Sequence, residues 1–250
     1  FLDGDIRLVL RSSSAESLVA IDAMSTLFEI GGNDDTVTGG VGDDTINGPS
    51  SGVLSGDKLI DGAAGNDLIN TGDGDDTITS VTGGDTIDGG NGDDTIVVTA
   101  DYGTVGDAGL ENVENVDMSG DITVDLSDQL GESFNVNIHD TPNFATLRLS
   151  DGDDTVVVEA TAAADVFGGL GNDLIDGGTG GVRYDRLVGQ GGSDTLIGGN
   201  TGDILVGGSG DDLIVVTADN VGLIDGDDIG SNFETVVTDG LDVLQIRNTN

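Results

Sequence analysis

Residues Gly62 to Val97 read GAAGNDLIN TGDGDDTIT SVTGGDTID GGNGDDTIV, four nine-residue units in unbroken phase. A period of nine fits neither a straight helix nor an ordinary hairpin sheet, and such fixed self-similarity is the signature of a stacked architecture. With the near-constant aspartate set at position 6, Asp67, Asp76, Asp85 and Asp94 align, and Ile69, Ile78, Ile87 and Ile96 align at position 8. Glycine gathers at positions 1, 2 and 4, where a tight turn needs φ > 0 and close backbone approach. Each unit therefore reads as a turn followed by a very short strand. One inward residue in nine makes no core alone, but stacked units line their isoleucines into a continuous apolar column.

Extending the phase in both directions gives thirteen units, beginning at 30, 39, 53, 62, 71, 80 and 89, then at 149, 168, 180, 189, 198 and 207. All thirteen carry Val, Ile or Leu at position 8, and twelve carry Asp at position 6, the exception being Lys58. The pattern resembles the nonapeptide G-G-x-G-x-D-x-U-x of RTX proteins, the hemolysin-type calcium-binding repeat, whose fold is a calcium-binding parallel β-roll. The resemblance spans about half of the chain. It implies an all-β protein, a parallel β-roll or β-solenoid, with two calcium-binding roll segments separated and followed by strand-rich segments without the repeat.

In the family resembled, two units make one turn, and a calcium ion sits between position-6 aspartates two units apart, completed by turn carbonyls. The metal ligands implied here are Asp35, Asp44, Asp67, Asp76, Asp85, Asp94, Asp154, Asp173, Asp185, Asp194, Asp203 and Asp212. The pairing joins Asp44 to Asp67, Asp67 to Asp85 and Asp76 to Asp94 in the first roll. In the second it joins Asp173 to Asp194, Asp185 to Asp203 and Asp194 to Asp212. Asp35 is set against Lys58, where either the ammonium substitutes for an ion or Lys58 is a plain surface lysine. Asp165 sits out of phase.

The residue chemistry points the same way. Calcium is a hard cation taking 6 to 8 oxygen ligands in flexible geometry, and the repeat supplies carboxylates and glycine-flanked carbonyls. Magnesium resists dehydration and demands tighter octahedral geometry. Zinc and copper lack their preferred ligands, since His139 is the only histidine and cysteine is absent. The position-5 acids, such as Asp43, Asp75, Asp93, Asp153 and Asp211, are expected to face solvent. Position-7 threonines suit strands and form a surface row, but leucine, isoleucine and arginine interrupt it, which argues against ice binding.

Composition bounds the function. The formal charge is −41, from 48 acidic and 7 basic residues, so nucleic acid and anionic membranes are improbable partners. Nineteen of the acids fall at positions 5 or 6 of the units, which favours cation ligation over general surface acidity. Aromatic residues make up only 3% of the chain, so aliphatic columns must replace a wide core. No run of 18 apolar residues exists to span a membrane, and without cysteine a bound ion takes the place of disulfides as the staple. Without such a ligand, low hydrophobicity with high net charge opposes collapse. Phe1 is not an initiator methionine and no leader opens the chain, so a processed product or an excised fragment is expected.

Along the chain, residues 1–29 read as an N-terminal cap or assembly segment, with a strand from Asp5 to Arg11 and either a short helix or strands between Leu18 and Ile30. Residues 30–97 form the first roll, with an insertion at Gly48 to Gly52. Residues 98–148 lose the nine-residue period. There Ile122, Val124 and Leu126 alternate, as do Phe134, Val136 and Ile138, so the segment reads as solenoid strands without calcium, or else as a separate globular insert. Residues 149–215 form the second roll, and 216–250 a strand-rich cap or assembly segment in which Asp242 to Arg247 form a last strand. DDTIVVTAD at 93–101 recurs as DDLIVVTAD at 211–219, as in a degenerate duplication.

No catalytic constellation stands out. His139 lies in an apolar alternation, and the carboxylate pairs are explained by the repeat. The expectation is a non-enzymatic, secreted, calcium-bound structural protein that self-associates in an extracellular filament, surface layer or matrix, with cell-surface polysaccharide as a further partner. The alternative is a calcium-dependent folding or secretion module of a larger RTX toxin, hydrolase or adhesin.

Overall fold

Each unit spends three or more residues on a strand, and alternation along it turns the position-8 side chain inward. Val37, Ile46, Ile60, Ile69, Ile78, Ile87 and Ile96 are all no more than 1% exposed. Burying one such side chain contributes about 1.5–3 kcal/mol, so the columns carry the fold. The computed structural model describes residues 6–9, 15–20, 25–49, 56–104, 109–179, 183–199, 202–217, 221–225, 234–236 and 243–247. The chain divides into two compact units, Phe1–Val116 and Asp117–Asn250.

In the first unit, successive repeats alternate between two parallel sheets. One contains Ser17–Val19, Thr36–Thr38, Leu59–Asp61, Thr77–Thr79 and Thr95–Val98; the other contains Ile6–Val9, Thr26–Glu29, Thr45–Asn47, Leu68–Asn70, Thr86–Asp88 and Leu110–Glu111. The registers align the core residues without slippage. Val37, Ile60, Ile78 and Ile96 form one column, and Phe28, Ile46, Ile69, Ile87 and Leu110 the other. Two units thus make one turn. The stretch between Leu18 and Ile30 contributes strands, its second pairing in parallel with Ile6–Val9. The insertion expected at Gly48 to Gly52 lies partly outside the described residues.

The second unit repeats this plan. One sheet runs through Thr123–Asp125, Ala145–Arg148, Ala164–Leu170, Arg186–Gly191, Asp203–Ser209 and Val221–Asp225. The other runs through Asn135–His139, Thr155–Val158, Leu174–Asp176, Thr195–Gly198 and Leu213–Thr217. Strands from the segment lacking the repeat enter the same columns: Val124 stacks on Leu147, Val166, Leu187 and Leu205, and Val136 on Val156, Ile175, Leu196 and Ile214. Thr123–Asp125, Asn135–His139 and Ala145–Arg148 are thus members of the same parallel sheets as the repeat strands that follow them. Strand Val243–Arg247 lies antiparallel against Leu213–Thr217 and against Glu234–Val236. That reversal ends the parallel stacking by pairing an otherwise open sheet edge.

Candidate metal centre

Position 6 immediately precedes the strand, and its side chain lies beneath the turn instead of in solvent. All twelve position-6 aspartates are buried, none more than 4% exposed. Their Oδ1 atoms form ladders along each column, each accepting the backbone N–H of the residue one turn earlier. Asp67 Oδ1 accepts from Asp44 N at 2.8 Å, Asp85 Oδ1 from Asp67 N at 2.8 Å and Asp94 Oδ1 from Asp76 N at 2.7 Å. In the second unit Asp194 accepts from Asp173 at 2.9 Å, Asp203 from Asp185 at 2.9 Å and Asp212 from Asp194 at 3.0 Å. Every pair that the two-unit spacing joins is thus adjacent.

The ladders also include one pairing and one residue that the repeat pattern misses. Asp154 N donates to Asp173 Oδ1 at 2.9 Å, a pair hidden because the units starting at 149 and 168 are not contiguous. Asp94 N donates to Glu114 Oε2 at 2.8 Å, so a glutamate of the non-repeat segment supplies the next carboxylate. Position-5 acids behave as expected. Asp43, Asp75, Asp93, Asp153 and Asp211 are exposed, and they form a second ladder outside the turn, as where Asp93 N donates to Asp75 Oδ1 at 3.0 Å.

Lys58 corrects the expected pairing. It does not face Asp35, whose Oδ1 is directed to the preceding turn and accepts from Glu16 N at 2.9 Å. The lysine stem runs the other way, and Nζ lies 3.5 Å from Asp76 Oδ1 with both side chains fully buried. The reason is chemical: a carboxylate accepts and bonds backward to an N–H, whereas an ammonium only donates and turns to the acceptors on the other side, the Gly56 and Asp73 carbonyls and the Asp76 carboxylate.

Two features show what the turn interior accepts. In Asp94, Asp154, Asp173 and Asp194 the buried Oδ2 has no hydrogen-bond donor. In Asp44 and Asp85, by contrast, Oδ2 accepts from Gly40 N and Thr82 N, both at 2.7 Å. A buried carboxylate oxygen without a donor is costly and calls for a cation. Secondly, the position-1 glycine of the same unit floors the space. A Cβ on Gly189 would lie 2.1 Å from Asp194 Oδ2 and 2.6 Å from the Gly207 carbonyl oxygen. Gly189 does not adopt a positive φ, so glycine is needed there for space. At position 4 the demand is conformational as well: Gly92 has φ 151°.

Electrostatics agree with the geometry. Burial pushes the Asp173 carboxyl up to about 8; the hydrogen bond it accepts from Asp154 N–H pulls the other way, and the neighbouring Asp194, Asp154 and Asp153 carboxylates add repulsion. Burial likewise raises Asp94 and Asp154 to about 7, and Asp67 and Asp194 to about 6. Asp76 is also raised by burial, with hydrogen bonds from Thr71 and Lys58 acting against it.

Among the described residues no three His, Cys, Asp or Glu side chains converge in a cluster that could hold a metal. Carboxylates come here in vertical pairs, so backbone carbonyls must complete any coordination shell. That donor set, all oxygen and flexible in number, fits calcium. The residues that would hold it are the paired position-6 aspartates, and the ion would supply the positive charge their buried oxygens lack. His139 stands apart, with Nε2 2.8 Å from Asp117 Oδ1 and Nδ1 3.3 Å from Asp140 Oδ2. Burial lowers its pKa, but the two carboxylates outweigh that and raise it overall. Asp165 lies outside the ladders, on a half-exposed strand position opposite Arg186.

A parallel β-solenoid whose turns stack buried aspartates over glycines defines a class of cation-binding roll. This chain carries the RTX calcium-binding nonapeptide repeat: the family model matches in four copies, at residues 30–48, 55–80, 72–105 and 185–214. The ladder through Asp154 and Asp173 lies outside those matches, and it has the same geometry. No curated protein matches the chain as a relative.

Proposed function

We propose that the chain is a secreted structural β-solenoid, folded by calcium, whose copies assemble into an extracellular filament, surface layer or matrix. The observation that carries the calcium dependence is the set of buried, donor-less Oδ2 atoms of Asp94, Asp154, Asp173 and Asp194. Ions bound there make folding and binding one equilibrium, because they bind the native form and not the unfolded chain.

Self-association is supported by the placement of the few cations. Of 7 basic residues, Arg148, Arg183 and Arg186 gather about one sheet of the second unit. There the Arg148 and Arg186 guanidinium groups lie 5.3 and 4.8 Å from the Phe167 ring centroid. Phe144 and Tyr184 pack at 5.4 Å beside Arg183, and Tyr184 is 47% exposed. A basic, aromatic face on so acidic a chain complements the exposed aspartate rows of a second copy. Calcium lowers the repulsion between copies by reducing net charge.

The test is a calcium titration with chelator reversal, following far-UV circular dichroism and light scattering and ending in electron microscopy. β-Structure with ordered assemblies supports this reading. β-Structure with a persistent monomer favours a folding or secretion module of a larger protein, or an adhesin, and no response to calcium refutes the metal dependence.

A further inference from the structure

The first roll contains one buried cation of its own. Lys58 occupies position 6 of the unit starting at 53, and its side chain is fully buried. Nζ donates to the Gly56 carbonyl at 2.7 Å and the Asp73 carbonyl at 2.7 Å, and lies 3.5 Å from Asp76 Oδ1. Its three protons thus meet two turn carbonyls and one position-6 carboxylate, which is the full donor capacity of an ammonium. Gly56 is position 4 of its own unit, while Asp73 and Asp76 are positions 3 and 6 of the unit one turn later. All three partners are oxygens, the ligand type a hard metal ion takes; the two carbonyls lie at 2.7 Å and the carboxylate at 3.5 Å, so the ammonium meets the same atoms at hydrogen-bond and ion-pair distances.

We infer that Lys58 is the resident cation of a metal site, its ammonium standing where a divalent ion would be held between Asp76 and an aspartate at position 58. Charge supports the substitution. A carboxylate plus a divalent cation sums to +1, and so does an ammonium, so the replacement leaves the charge of the loaded turn unchanged. Packing supports it as well: Lys58 N donates to Asp76 Oδ1 at 2.6 Å, so the link to the following turn is kept, while Asp35 N, with no carboxylate at position 58 to meet it, donates to the Asn33 carbonyl at 2.7 Å. Leu59–Asp61 stays in register with Thr36–Thr38 and Thr77–Thr79. One link of the roll is therefore closed without metal, and the first roll holds one ion fewer than its repeat count implies.

This inference rests on the reading of the other turns as calcium sites, and its test separates the two. Full-length wild type, Lys58→Asp and Lys58→Met are compared for bound calcium, by equilibrium dialysis, and for melting temperature in chelator and in saturating calcium. Lys58→Asp is expected to bind one more ion per chain than wild type, to melt lower in chelator and to recover in calcium. Lys58→Met is expected to gain no ion and to melt lower in both. Equal stoichiometry of Lys58→Asp and wild type, or wild-type melting of Lys58→Met in chelator, overturns the inference. Crystals of wild type grown with calcium give a check that needs no variant: an anomalous peak at the Nζ position, with Lys58 displaced, also overturns it. Wild type that binds no calcium refutes the proposed function, yet an ion gained by Lys58→Asp still reads the site itself.

Discussion

Removing metal and then raising the pH should weaken this fold, in the opposite sense to a protein whose carboxylates are stabilised by native salt bridges. Asp94 and Asp154 are raised to about 7 and Asp173 to about 8 from an ordinary value of 3.8, all chiefly by burial. An acid whose folded pKa is raised holds its proton more tightly in the native state, so its contribution is complete below about pH 4 and is lost as pH climbs through the folded value. Between pH 5 and 8 each pH unit below the folded pKa is worth about 1.4 kcal/mol. Asp94 and Asp154 then lose ~3 kcal/mol each and Asp173 ~4 kcal/mol. Together these approach the ~5–15 kcal/mol that holds a domain folded. At about 2–4 °C per kcal/mol for a chain of this size, Asp94 alone lowers the melting temperature by about 6–12 °C.

The assay is thermal unfolding by circular dichroism on protein stripped with chelating resin, at pH 5, 6, 7 and 8, with and without millimolar calcium. Metal-free protein should melt progressively lower as pH rises. Calcium holds the same carboxylates ionised, so in its presence the decline should vanish or reverse. A metal-free melting temperature that is flat or rises from pH 5 to 8 would refute the claim that these carboxylates are buried without compensating charge.

Two substitutions test single turns. Asp194→Asn keeps an acceptor for the Asp173 N–H but removes the charge, so it should raise the melting temperature in chelator at pH 8 while lowering the bound calcium; loss of stability in chelator would show that Asp194 is not strained when metal-free. Gly189→Ala places a methyl 2.1 Å from Asp194 Oδ2 and should cost about 1–3 kcal/mol as overpacking, together with weaker calcium binding. Denaturant unfolding and dialysis would measure both effects, and a neutral outcome would mean the carboxylate can swing away freely.

The sequence alone determined the architecture, because a period of nine with one aliphatic residue per unit can bury its apolar surface only by stacking in phase. It also determined which aspartates are internal: position 6 precedes an inward residue by two, and alternation along a strand places both on the same side, as Asp67 and Ile69 show. For the position-1 glycines the sequence left two reasons side by side, a positive φ and close approach, and only the structure shows that Gly189 serves the second, since composition cannot distinguish a backbone that needs a positive angle from a floor that needs an absent Cβ. Glu114 was invisible because no repeat surrounds it.

Tertiary structure alone decided the direction of each side chain along the stack. Asp35 bonds backward to Glu16, while Lys58 reaches forward to Asp76, and spacing is symmetric with respect to that choice. It also gathered Arg148, Phe167 and Arg186 from three separate strands into one stack. Parallel pairing brings together residues about twenty positions apart, and the register that sets which ones meet is fixed by the buried columns on the opposite face of the same strands.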